Sequence, residues 1–156
     1  MIVKIEKIDP KAEIPFKKHT EDACYDLVAT SVNIEENYIV YGLGFKTEIP
    51  PGWEAVIRPR SSIRDMALVL CNSPATIDSN YRGEWKLCFK IVIPNILTAM
   101  EDQDEEGKSS LNLEVYEVGE RIAQVTLKRV EEVTWEEGTV TDNTERGDGG
   151  FGSTGK

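Results

Sequence analysis

Apolar and polar residues alternate with a period of two along much of this chain. Val3-Lys4-Ile5, Val32-Asn33-Ile34, Leu87-Cys88-Phe89-Lys90-Ile91, Leu111-Asn112-Leu113-Glu114-Val115 and Ile122-Ala123-Gln124-Val125-Thr126-Leu127 all follow this rule or nearly so. Successive side chains of a strand point to opposite faces, so each run predicts a half-buried strand. Turn signals separate the runs: Asp9-Pro10, Gly42, Gly44, Pro50-Pro51-Gly52, Pro94-Asn95 and Gly138. Short strands divided in this way predict an all-β sandwich or barrel. At most one short helix is expected, one or two turns around Ser61–Met66, with a serine capping its start and Asp65 in its first turns. Asn72 to Glu84 reads as a β-hairpin with a polar tip.

The length of 156 residues suits one domain, 1–156, with a core of its own. No apolar run approaches the length of a membrane span. The first ten residues alternate as a strand does, and so do not read as a signal peptide. Cys24, Cys71 and Cys88 are odd in number and set among apolar residues. They read as buried thiols in a reducing, cytoplasmic setting rather than as disulfides or metal ligands. His19, the only histidine, lies beside lysines in an expected loop and reads as surface decoration, which leaves no histidine-based zinc site.

Charge narrows the ligand class. The formal net charge of −10 argues against a nucleic-acid track. Arg58 to Lys90 is nevertheless +3, with Arg58, Arg60, Arg64, Arg82, Lys86 and Lys90 set against Asp65, Asp78 and Glu84. A small basic region in an acidic protein suits a small anion. The acidic stretch within 101–110 has no period and reads as an exposed loop inserted between strands, with a protein-docking role as the lesser alternative.

Five clusters carry candidate chemistry. Asp22-Ala-Cys-Tyr-Asp26-Leu27 holds an acid between apolar residues at a strand start. In Arg58-Pro59-Arg60-Ser61-Ser62, proline forces a turn, and the amides and hydroxyls after it, with the Arg60 fork, make an anion site. Capping serines among surface arginines would look the same. Asn72 to Glu84 places Asp78, expected to be partly buried, where a carboxylate can take a proton from water, and Tyr81 where a flat ring can face a sugar. Gly119-Glu-Arg-Ile-Ala-Gln124 projects one amide from an apolar strand. Arg146 to Lys156 holds five of the twelve glycines. It reads either as a disordered terminus or as a flap, 142–156, that orders over a nucleotide.

In this order the clusters resemble the five motifs of the trimeric dUTPase family: Ala23–Leu27, Pro59–Ser62, Thr76–Glu84, Gly119–Gln124 and Arg146–Gly155. The resemblance implies a jelly-roll-like β fold and a homotrimer with active sites between subunits. It implies a dUTP diphosphatase that uses Mg²⁺ and releases dUMP and pyrophosphate. Asp78 matches the water-activating acid. Tyr81 would stack under the deoxyribose, and Asn72 with the backbone of Thr76, Ile77 and Asp78 would read the uracil. Arg60, Ser61, Ser62 and Gln124 would hold the α- and β-phosphates, and Lys86 matches a further substrate contact. Asp26 would touch a metal-bound water. Phe151 would cover the uracil, while Arg146, Gly152, Ser153 and Thr154 close on the phosphates. Ser62 and Ala75 stand where the family commonly has glycine, Cys24 where it often does, and Asn80 where an acid is common. A dCTP deaminase of related fold and a regulatory binding module are the alternatives.

Overall fold

The computed structural model describes residues 1–35, 38–92, 114–141 and 143–149. Ten strands follow one another: β1 Lys4–Lys7, β2 Tyr25–Val28, β3 Ser31–Ile34, β4 Tyr38–Gly42, β5 Phe45–Glu48, β6 Trp53–Pro59, β7 Leu68–Leu70, β8 Ala75–Ile77, β9 Lys86–Ile91 and β10 Arg121–Arg129. They form two four-stranded sheets, in the orders β2-β10-β6-β8 and β3-β4-β9-β7, and a β1-β5 ribbon. Every pairing is antiparallel. The all-β class expected from the alternation is the observed one.

One buried cluster joins the sheets. Leu27, Ala55, Ile57, Ile122 and Val125 come from the first sheet, and Ile39, Tyr41, Leu68, Leu70, Leu87 and Phe89 from the second. Tyr41, Phe89 and Tyr116 meet edge to face, with centroids 5.6 to 6.4 Å apart, an arrangement that aromatic quadrupoles favour. The Tyr41 hydroxyl donates to the Tyr116 carbonyl at 2.8 Å.

Four expectations change. The Asn72–Glu84 segment is not a hairpin: β8 pairs with β6, whereas β9 pairs with β4 and β7. The chain instead crosses from one sheet to the other, because Trp85 is bound into the core by backbone bonds to Leu43 and Phe45 and by its indole bond to Thr47. The expected helix is a five-residue 3₁₀ turn, Ser61–Asp65. It is entered by Arg60 in extended conformation without a side-chain cap, and Asp65 closes it rather than opening it. The strand expected at Leu111–Val115 lies outside the described residues up to Leu113, and Glu114–Val115 is not strand. The three thiols are free but only half-buried; that of Cys88 is pushed up first by desolvation and then by its hydrogen bond with Cys71. The 101–110 loop lies outside the described residues, as do position 142 and residues 150–156 of the flap.

Candidate active site

Strand register assembles the first part of the site. Gln124 on β10 lies opposite Asp26 on β2 and opposite Arg58 on β6, so the three stand in one row across the sheet. Directly opposed residues share a face. Arg121 joins them through an irregularity: the β10–β2 register steps from Arg121↔Val28 to Ala123↔Leu27. The extra residue, Ile122, is buried together with Ala123. A bulge of this kind re-aims its neighbours.

The Asp26 carboxylate, only 15% exposed, accepts from Arg60 Nε at 2.9 Å and from Arg121 Nη1 at 3.0 Å. Arg60 Nη1 also donates to the Arg121 carbonyl at 3.3 Å, and Gln124 Nε2 donates to the Pro59 carbonyl at 2.9 Å. The Arg60 fork and the Gln124 amide are thus held by protein on one side. Guanidinium N–H groups remain to spare, since the group carries five donors. Asp26, Arg60, Ser61, Arg121 and Gln124 line a cavity of about 330 Å³ together with Lys18, His19, Asp22, Ala23 and Cys24. This is an anion cradle. Ser62 does not line it: its hydroxyl is bonded to the Tyr116 hydroxyl at 3.3 Å.

The second part follows β8. Thr76, Ile77, Asp78, Tyr81 and Lys86 line a separate cavity of about 200 Å³. A turn forms where Tyr81 N donates to Asp78 O at 3.1 Å, and Arg82 secures it by donating to the Ser79 and Tyr81 carbonyls at 2.7 and 2.9 Å. Tyr81 lies flat against Gly83, where any Cβ would collide with the phenol, and its hydroxyl donates to Glu84 O at 3.1 Å. Glu84 in turn accepts from Gly44 N at 3.1 Å and faces Lys86 Nζ at 3.5 Å. Asp78, expected to be partly buried, is exposed: among the described residues its turn stands clear of the core. Asn72 precedes β8 in left-handed conformation, φ 49°, and is exposed.

The two cavities share no lining residue, and β2 and β8 are opposite edges of one sheet. At the usual strand spacing of about 4.8 Å those edges are about 14 Å apart. Arg146 belongs to neither cavity: its guanidinium donates to Gly149 O at 2.9 Å within a local turn. Phe151, Gly152, Ser153 and Thr154 lie outside the described residues. A larger cavity of about 420 Å³, lined by Met1, Val3, Ile5, Ile14, Trp85 and Leu127 among others, carries no charged side chain and so offers a phosphate nothing.

The family model described as dUTPase matches residues 10–95 and 109–155. The chain belongs to the dUTPase family. It is 36% identical to the deoxyuridine 5'-triphosphate nucleotidohydrolase of Solibacter usitatus, over all of this chain and 97% of that protein. It is 37% identical to the enzyme of the same name from Corynebacterium diphtheriae, over 99% and 93%. Among solved structures, the Staphylococcus bacteriophage 80alpha dUTPase with dUPNHPP superposes with a TM-score of 0.76 at 22% identity over 99% of both chains, so this dUTPase-family chain has the dUTPase fold.

Sequence reasoning missed three residues around this dUTPase-family site. Arg121 sits inside a recognised motif, but its ion pair with Asp26 depends on the bulge. Tyr116 holds Ser62 from an irregular segment with no period to mark it. His19 is exposed, as its neighbours in sequence suggested, but it also lines the cradle cavity.

Proposed function

We propose that this chain is a dUTP diphosphatase that hydrolyses dUTP to dUMP and pyrophosphate, working as a homotrimer whose active sites are shared between subunits. The observation carrying the reading is the separation of the Asp78–Tyr81 cavity from the Asp26–Arg60–Gln124 cradle. A general base works within about 3 Å of the proton it takes, or through one water. The β6–β8 register sets Asp78 beside Glu54, six residues and about 20 Å along the strand direction from Arg60, so one α-phosphate cannot be held by Arg60 and attacked through Asp78 of the same chain. The Asp78 edge of one subunit against the β2–β10 edge of the next brings both to a single nucleotide. Trp135, 92% exposed, and Val140, 91% exposed, support a partner as well, since a stable monomer seldom leaves such a ring wholly in water.

In this reading Asp78 takes a proton from water as the water oxygen bonds to the α-phosphorus. The bond from that phosphorus to the bridging oxygen breaks, and pyrophosphate leaves. Tyr81, held flat by Gly83, is the deoxyribose platform. Asn72 and the Thr76–Asp78 backbone read the uracil edge, rejecting cytosine because its exocyclic amine leaves buried groups unpaired. Lys86, beside Glu84, and Arg60 offset phosphate charge, while Ser61 and Gln124 donate hydrogen bonds to the phosphate oxygens. Arg146, Phe151, Gly152, Ser153 and Thr154 close the tail over the bound nucleotide.

Mg²⁺ fits the donor set. Among the described residues no group of three or more His, Cys, Asp or Glu side chains forms a cage, which suits an ion that keeps its waters and binds mainly through phosphates. Each Asp26 oxygen that accepts from an arginine has a lone pair left for a metal-bound water. When bound, the ion would offset the charge on the phosphate oxygens.

The test is a pyrophosphate-release assay across the deoxynucleoside triphosphates with Mg²⁺. Pyrophosphate from dUTP alone is expected, and ammonia from dCTP would overturn the reading. Asp78→Asn should bind dUTP yet turn over about a thousandfold slower; a near-normal kcat would remove Asp78 from its role.

A further inference from the structure

His19 is the chain's only histidine, and the fold turns it toward the anion cradle. The loop that carries it enters β2 through two fixed points. Asp26 N donates to Phe16 O at 2.7 Å. Three residues further along the loop from Phe16, His19 N donates to Asp22 Oδ2 at 2.9 Å while Asp22 N donates back to His19 O at 3.1 Å. Between these points the side chains diverge. Lys17 turns to Tyr25, its ammonium 4.7 Å from the ring centre. Lys18 and His19 instead line the same cavity as Arg60, Ser61, Arg121 and Gln124.

The charged groups sharing that cavity with His19 are Lys18 and Asp22 on its own loop, Asp26 on β2, Arg60 after β6 and Arg121 on β10, and the remaining titratable group is the Cys24 thiol. Asp26 is occupied by the two guanidiniums and Asp22 by the His19 amide, so both acids are already partnered. Lys18 is exposed, and its ammonium appears in none of the ion pairs found among the described residues. The cavity therefore holds an exposed ammonium and an imidazole that neither the sequence motifs nor the phosphate contacts above employ.

We propose that Lys18 and His19 are further contacts for the terminal phosphate of the nucleotide, within the group that leaves as pyrophosphate. The inference rests on the hydrolase reading and deepens it. Arg60, Ser61 and Gln124 hold the α- and β-phosphates, and the β2-entry loop adds Lys18 and His19 from the same cavity lining. Lysine supplies a mobile point charge. Histidine supplies a ring N–H donor.

The test uses the full-length protein, its Lys18→Ala and His19→Gln variants and the double variant. Three probes are titrated calorimetrically with Mg²⁺: inorganic pyrophosphate, a non-hydrolysable imido analogue of dUTP, and dUMP. The double variant should lose about tenfold in affinity for pyrophosphate and for the analogue, keep its affinity for dUMP, and retain the wild-type circular dichroism. The single imidazole should shift its NMR resonances when pyrophosphate is added to wild-type protein. Unchanged pyrophosphate affinity in the double variant, or resonances that do not move, overturns the proposal. An equal loss for dUMP overturns it too, because the loop would then be shaping the whole site. If wild-type protein fails to release pyrophosphate from dUTP, the hydrolase reading fails, and the pyrophosphate titration still decides the subsite by itself.

Discussion

At the scale of single residues, the side chains that matter most here have one half of their hydrogen bonding committed to protein. Arg60, Gln124 and Tyr81 each hydrogen-bond to a fixed neighbour, which holds them in place before any ligand arrives and lowers the ordering cost of binding, whereas Lys86 has only a 3.5 Å ion pair with Glu84. Sequence motifs identify these residues but not their partners. Tyr41 shows how burial acts on one such group. It is fully buried, and desolvation pushes its phenol from the usual 10.0 up to about 12, the bond to the Tyr116 carbonyl opposing the shift. A phenol whose folded value is raised binds more protons in the folded than in the unfolded state across that interval. Its stabilising contribution is complete below pH 10 and disappears as pH rises toward 12. Urea midpoints measured across that range should fall for wild-type protein and fall less for Tyr41→Phe; parallel curves would remove Tyr41 as the cause.

Elements position these residues through irregularities more than through regular structure. The bulge at Ile122 points Arg121 at Asp26, and the crossing at Trp85 sends the arms of the Asp78 segment to different sheets. The 3₁₀ turn stands on Tyr116, whose hydroxyl meets that of Ser62 and whose carbonyl accepts from Tyr41. Tyr116→Phe keeps the ring packing and removes one hydroxyl. It should cost about 1 kcal/mol of stability, speed amide exchange over Ser61–Asp65 and raise KM for dUTP with little change in kcat. Unaltered exchange in that turn would show that Ser62 does not depend on Tyr116. Period-two alternation revealed β1, β3, β9 and β10. It could not reveal β6, where Ala55, Val56 and Ile57 are buried in succession because the strand lies inside its sheet. Strands β7 and β8 have three residues each, too few to establish a period.

For the whole molecule, a site divided between sheet edges makes activity a property of the assembly. Two variants that are each inactive, Asp78→Asn and Arg60→Ala, should recover activity when unfolded together and reassembled. If each site draws Asp78 and Arg60 from different subunits of a randomly mixed trimer, about a quarter of wild-type activity should return. No recovery would mean that both residues serve a nucleotide within one chain.

Alternation of apolar and polar residues, read with the turn residues, was enough to determine an all-β chain, because burying one face of a strand is a local demand written residue by residue. Five short motifs were enough to name the chemical groups, because handling a phosphate, a sugar and a water requires particular side chains whatever fold presents them. Which groups face one another was decided only in three dimensions. The Asp26 ion pairs, the turning of Ser62 away from the cradle, His19 in its lining and the distance between cradle and catalytic acid all depend on register, a bulge and the order of strands in a sheet. Those are relations between residues far apart in the chain, and no local pattern encodes them.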